Sequence, residues 1–135
     1  MYKLEEKLLK NYARVMVHYA LNNGQGINKN DTVSLVGQEC TRDLFLAIAA
    51  EVYAAGGNLI TNYQPDNTKD TSIARLLLTG GSDEQITFFP KPYWQGIVDA
   101  TDHICFIIAE PDIQFLSDIP AAKISAMNSA RAPYM

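Results

Sequence analysis

The sequence predicts an α/β fold: three layers, with a small, mainly parallel sheet flanked by helices and preceded by an amphipathic helix. Three observations carry this. Residues 32–63 read strand, helix, strand. Val33, Leu35 and Val36 form an apolar run closed by Gly37, and Leu44, Phe45, Ile48, Ala49, Val52 and Tyr53 recur at helical spacing before Gly56-Gly57. Leu59, Ile60 and Tyr63 then resume an extended run. A unit of that kind is a parallel crossover. Second, HICFIIA at 103–109 is nearly all apolar, as befits a strand covered on both faces. Third, caps and breakers fall where the periodicities change.

Taken in order, Leu4, Leu8, Tyr12, Val15, Met16 and Tyr19 define one face of the first helix, with Leu9 beside them. Lys3, Glu6, Lys7, Lys10 and Arg14 define the other. Asn22-Asn23-Gly24 tolerates the left-handed backbone that ends a helix. Strands follow at 32–37 and 58–63. Asp70 or Thr71 is expected to cap a short helix running to Leu78 and stopped by Gly80-Gly81. Ser82 and Gln85 match a capping box, Pro90 ends that helix, and Pro92 suits the first turn of the next. Tyr93, Trp94, Ile97 and Val98 give that next helix an apolar face. Residues 112–120 read as irregular, with one turn near Phe115-Leu116, and 121–130 as a closing helix anchored by Ile124 and Met127. The whole, residues 1–135, reads as a single Rossmann- or flavodoxin-like domain. Three strands make a small sheet, so one edge is left open for another segment or another copy.

Composition narrows the function. A net charge of −4 without any Lys/Arg cluster gives no footprint for nucleic acid. No apolar run approaches the ~20 residues of a membrane span, and the charged, periodic N-terminus is unlike a signal peptide. Cys40 and Cys105 lack the spacing of a disulfide framework and fit a reducing, cytoplasmic setting.

Candidate chemistry gathers at the carboxyl ends of the strands, where ligands bind in open parallel sheets. Glu39, Cys40 and Thr41 join the first strand to its helix, and Glu110 follows the third; these four are the candidate ligand-binding residues. The turn has one glycine and no phosphate-binding motif, so Thr41 reads first as a helix cap. Cys40 precedes a helix that could lower its pKa, yet a thiolate nucleophile also needs a base, and only His18 and His103 are available. His103 and Cys105 share a strand face and could supply two metal ligands where three or four are required. A core cysteine beside a satisfied histidine is the favoured reading. Glu39, Glu110 and Asp112 could line one sheet edge as paired carboxylates, although loop carboxylates are mostly solvated. Tyr93 and Trp94 read as core and rim packing.

In register, the chain resembles the N-terminal part of the metallo-aminopeptidases typified by aminopeptidase T, aminopeptidase S and PepS. The resemblance rests on LLKNYARVMVHYAL at 8–21, the linker with Gly26, and the strand Thr32-Val33-Ser34-Leu35-Val36. It continues through Val52-Tyr53-Ala54-Ala55-Gly56-Gly57 and the strand Asn58 to Tyr63. His103 to Ala109 with Glu110-Pro111-Asp112, then Ile119-Pro120 and Lys123 to Arg131, complete it. The resemblance implies a cytoplasmic, dimeric exopeptidase that removes N-terminal amino acids from peptides with two divalent metals (cobalt, zinc or manganese). The metal ligands of that family lie in a C-terminal domain, and no residue here matches one. Whether a fragment of a longer aminopeptidase or a stand-alone relative that has lost the peptidase half, the chain is expected to bind no metal alone, to be inactive alone, and to act with a missing C-terminal catalytic domain or as a homo-oligomer. The peptide substrate belongs to the full-length enzyme. The alternatives are a relative of the ferrous dihydroxypyridine dioxygenases, or a small ligand-binding or dimerisation module without enzymatic activity.

Overall fold

The computed structural model describes residues 5–22 and 24–134, without the side chain of Tyr134; the expectations for Lys3, Leu4 and Asn23 lie outside the described residues. It has the α/β architecture expected: a three-stranded, wholly parallel sheet with helices, one of them N-terminal. The chain divides into two compact units, residues 1–64 with 99–109, and residues 65–98 with 110–135.

The first unit carries the sheet, in the order β2-β1-β3. β1 (Thr32–Gln38) is central, β2 (Asn58–Gln64) pairs along one edge with Val33 opposite Leu59, and β3 (His103–Phe106) pairs along the other with Leu35 opposite Cys105. Among the described residues, two α-helices lie wholly in this unit: α1 (Glu6–Val15), which continues as a π-helical turn over Met16–Ala20, and α2 (Arg42–Ala54). Val33, Leu35 and Cys105 pack with Phe45, Ile48 and Val52 of α2 and with Ala13 and Val17, forming one core. Gly56, at φ +85, ends α2 as the sequence indicates, and the Gly57 N–H donates to Val52 O at 2.9 Å.

Two expectations for this unit need correction. The buried face of α1 is Leu9 and Ala13, continued by Val17, while Leu8, Tyr12, Val15 and Tyr19 are exposed. Ala13 has no accessible surface at all; its single methyl lets the helix axes approach closely, which the bulkier Tyr12 would prevent. The apolar stripe that docks is thus displaced around the helix from the one with the larger side chains. Second, β3 is shorter than 103–109 and is not covered on both faces. Cys105 is buried, but Ile104, Phe106 and Ile108 are 50%, 63% and 82% exposed. Uniform apolarity conceals the alternation that would otherwise mark one face as open.

The second unit is helical. Its elements are α3 (Ile73–Gly80), α4 (Asp83–Thr87), α5 (Lys91–Ala100, whose last two residues belong to the first unit) and α6 (Ala121–Arg131). Leu78, Ile86, Ile119 and Met127 form its core. The capping box on α4 is formed: the Ser82 N–H donates to Gln85 Oε1 at 2.9 Å, and the Gln85 N–H donates to Ser82 Oγ at 3.2 Å. On α3 the cap is Ser72 rather than Asp70 or Thr71, its Oγ accepting from the Arg75 N–H at 3.1 Å. Thr71 is occupied elsewhere, donating to Asp66 O. α5 buries none of its residues; Trp94 lies parallel to Phe89 at 5.9 Å, and Tyr93 meets Trp94 edge-on.

A fork of charge ties α3 to the segment before α6. Arg75 Nη1 and Nη2 donate to the two oxygens of Asp118 at 2.6 and 2.8 Å, and Nη1 also reaches Phe115 O. The guanidinium holds the Asp118 carboxyl at about 2, below its ordinary 3.8. A depressed carboxylate stabilises the fold above its unfolded pKa and ceases to do so as pH falls through the folded one. Stability to urea is therefore expected to decline between about pH 4 and pH 2, and Asp118→Asn should flatten that part of the pH profile.

Candidate functional site

The sheet has two ends, and the sequence candidates fall at one of them. β1 is the first strand and lies in the middle, with β2 on one side and β3 on the other, so the carboxyl end of β1 is where the strand order reverses. Glu39, Cys40 and Thr41 form a 3₁₀ turn there. Glu39 and Cys40 are exposed and Thr41 is half-buried. The Thr41 hydroxyl donates to Gln38 O at 2.7 Å and accepts from the Gln38 N–H at 3.2 Å, so it braces the turn and makes no side-chain cap on α2. Tyr63, at the end of β2, lies edge-on to Phe45 at 5.3 Å and donates its hydroxyl to Glu39 O at 3.4 Å. Gly37 makes this packing possible: a Cβ there would lie 2.7 Å from Phe45 Cδ2 and 2.9 Å from Thr41 Oγ1. The turn is a closely packed corner carrying one exposed carboxylate and one exposed thiol. Glu110, the fourth candidate, and Asp112 belong to the second unit.

The histidines sit at the other end. His103 opens β3 opposite Val33, so along strands rising about 3.3 Å per residue it is more than about 15 Å from Cys40. His18 bonds Glu51, nine residues beyond the start of α2, which at about 1.5 Å per residue is roughly 14 Å along that helix. Neither histidine can serve as the base for Cys40.

Each histidine is instead held by a carboxylate. His103 Nε2 is 2.9 Å from Asp31 Oδ2, with both side chains mostly buried, and His18 Nε2 is 2.8 Å from Glu51 Oε1. Asp31 also accepts the Asn28 N–H at 2.8 Å. The hydrogen bond from His103, then that from Asn28, keeps the Asp31 carboxyl below its usual range. Beside this pair, Asp102 Oδ2 accepts the Thr32 N–H and the Asp102 N–H donates to Thr32 O, both at 2.8 Å. The amino ends of β1 and β3 are thus clamped by Asp31, Asp102 and His103. Sequence reasoning missed this clamp, although a signal exists. Asp31 and Asp102-His103 immediately precede or open two strands that the pattern makes parallel, and parallel neighbours that start level bring such residues together.

Cys105 lies in the core, where burial pushes its thiol pKa up. It is the inert core cysteine beside a satisfied histidine that the strand pattern favours. Among the described residues, no three His, Cys, Asp or Glu side chains converge to hold a metal ion. The two His–carboxylate pairs offer two donors each, against the three or four protein ligands that a zinc-type centre takes. Nor is any helix among the described residues long and apolar enough to cross a membrane. Chemically, this arrangement ties elements together, and the residues present do not fit a metal centre.

Comparison with known proteins agrees with the fold. Wild-type AmpT from Thermus thermophilus superposes with a TM-score of 0.75 at 17% identity, over 96% of this chain and 31% of AmpT. At that identity the likeness concerns the fold, and the chain spans about a third of AmpT's length. No curated protein matches the chain. The family model described as thermophilic metalloprotease (M29) matches residues 5–135. A match running over almost every residue, on a fold shared with AmpT, establishes that this chain belongs to the thermophilic metalloprotease (M29) family.

Proposed function

We propose that this chain is the N-terminal, non-catalytic part of a cytoplasmic metal-dependent aminopeptidase, an enzyme that removes N-terminal amino acids from peptides. Its task in that reading is to build and stabilise one wall of the enzyme, while the metal pair (cobalt, zinc or manganese) is held by residues of a catalytic domain outside this span. Membership of a metalloprotease family supports the hydrolytic chemistry. The observation that carries the non-catalytic assignment is the donor set: both histidines are committed to carboxylate partners at the amino end of the sheet and along α2, and no third ligand joins either pair among the described residues. The family's metal supplies Lewis-acid activation of water when bound; the residues described here supply packing, a braced turn and a clamped sheet end.

The test is direct. The purified chain, assayed on a leucyl arylamide with cobalt, zinc or manganese added in turn, is expected to release no arylamine above the rate in buffer. Metal-dependent release by the chain alone would overturn the assignment.

A further inference from the structure

We propose that Asn23 is a site of spontaneous covalent modification: its side-chain amide is lost through a succinimide formed with the Gly24 main-chain nitrogen, and the isoaspartyl product loosens the seating of the first helical stretch on the core. The inference stands apart from the aminopeptidase reading, because it concerns a connecting turn and no catalytic group.

Chemistry and geometry meet at this pair of residues. Of the nine asparagines in the chain, Asn23 alone precedes a glycine. Glycine has no Cβ, so its main-chain nitrogen is unscreened, and its backbone turns freely enough to bring that nitrogen onto the preceding side-chain carbonyl carbon. Asn23 itself lies outside the described residues, but its neighbours do not. Gly24 is exposed, belongs to neither helix nor strand, and sits at φ +87. Among the described residues other than its chain neighbours, a Cβ built on Gly24 would meet only Tyr19 O, at an ordinary 3.5 Å, so the main chain there is uncrowded. Asn128 makes the contrast. It precedes Ser129, the next smallest residue to follow an asparagine here, but both lie inside α6, where helical geometry holds the following nitrogen away from the side chain.

The reaction needs only water. The Gly24 nitrogen gives up its proton to solvent and bonds to Asn23 Cγ; the Cγ–Nδ2 bond breaks, ammonia leaves, and a cyclic succinimide remains. Water then opens the ring at one of its carbonyls. Cleavage at Cγ yields aspartate. Cleavage at the main-chain carbonyl yields isoaspartate, in which the chain runs through Cβ and Cγ and is longer by one methylene. Either product adds one negative charge to a chain of net charge −4. The added methylene falls within a turn bracketed by hydrogen bonds: the Gln25 N–H donates to Asn22 O at 3.1 Å, and Asn22 Nδ2 donates to Gly26 O at 3.2 Å. Just beyond, the Gly26 and Ile27 N–H groups donate to Leu21 O and Val17 O, and Val17 is fully buried. Lengthening the chain between Asn22 and Gly24 pulls these ties out of register. Aspartate keeps the ordinary main chain and leaves them in place.

The experiment is incubation of the full chain at mildly alkaline pH, with peptide mapping by mass spectrometry and ion-exchange separation of the charge variants. Asn23 is expected to convert to a mixture of aspartate and isoaspartate while Asn128 keeps its amide. Asn23→Gln, whose cyclisation needs a larger ring, should yield no such charge variant over the same period. Gly24→Ala should slow conversion by more than an order of magnitude; alanine is strained at that φ, and the Asn23→Gln comparison does not depend on it. In the separated isoaspartyl form the Gly26 and Ile27 amides should exchange hydrogen faster than in the starting chain, whereas Asn23→Asp should leave them slow. Conversion at Asn23 no faster than at Asn128 would overturn the proposal. So would an isoaspartyl form in which both amides exchange as slowly as before.

Discussion

Gly26→Ala is expected to be among the most damaging single substitutions in the chain, costing about 2–5 kcal/mol of stability: about 1–2 for a left-handed backbone and about 1–3 for overpacking. Gly26 sits at φ +77, and a Cβ there would overlap the main-chain carbonyl of His18. The obstacle is backbone, so no side-chain rotation relieves it. The same segment returns two hydrogen bonds to the end of the first helical stretch, from the Gly26 N–H to Leu21 O at 2.9 Å and from the Ile27 N–H to Val17 O at 3.1 Å. A side chain at position 26 would therefore disturb the seating of Val17 in the core and, with it, the neighbouring His18–Glu51 pair. Gly96→Ala is the matched control. Gly96 lies within α5 with open space around it, so alanine there should stabilise by about 0.5–1 kcal/mol. Urea unfolding followed by circular dichroism gives both values. Equal effects from the two substitutions would contradict this account of residues 21–27.

Leu35→Ala is expected to cost about 3–5 kcal/mol. Leu35 is fully buried on the central strand, opposite Thr61 on one side and Cys105 on the other, and it packs in the cluster that joins the sheet to α2. Truncation removes apolar contacts and leaves a cavity beneath a rigid sheet that cannot easily collapse to fill it. Against a typical domain stability of about 5–15 kcal/mol, such a loss is a large share of the total. A urea midpoint shift equivalent to less than about 1 kcal/mol would mean that the core does not close around this strand as described.

The crossover unit was legible because three independent signals coincide there. The apolar run ending at Gly37, the helical spacing from Leu44 to Tyr53 and the double glycine each fix a boundary, and β1, α2 and β2 start or stop within two residues of them. The Ser82–Gln85 capping box was legible for a similar reason, since its chemistry is contained within four residues. Features decided by tertiary neighbours were not. On α1 the pattern marks the stripe of larger side chains, yet packing selects the one through Ala13, because helix-to-helix approach rewards small size as well as apolarity. In β3 an unbroken apolar run carries no record of which face is open. The candidate site was legible as a place, the carboxyl end of β1, with Glu39, Cys40 and Thr41 together on one turn. Its partners were not, since hydrogen bonds such as Tyr63 to Glu39 O, or His103 to Asp31 across 72 positions, depend on which strands become neighbours.

The histidines among the described residues hold carboxylates in place and are not arranged to hold a metal pair. Isothermal titration of the purified chain with zinc, and then with cobalt and manganese, addresses this without reference to any substrate. No saturable binding of two equivalents is predicted, and the imidazole resonances of His18 and His103 should remain those of carboxylate-bonded rings throughout. Stoichiometric uptake of two metal ions, accompanied by displacement of either histidine from Glu51 or Asp31, would contradict it.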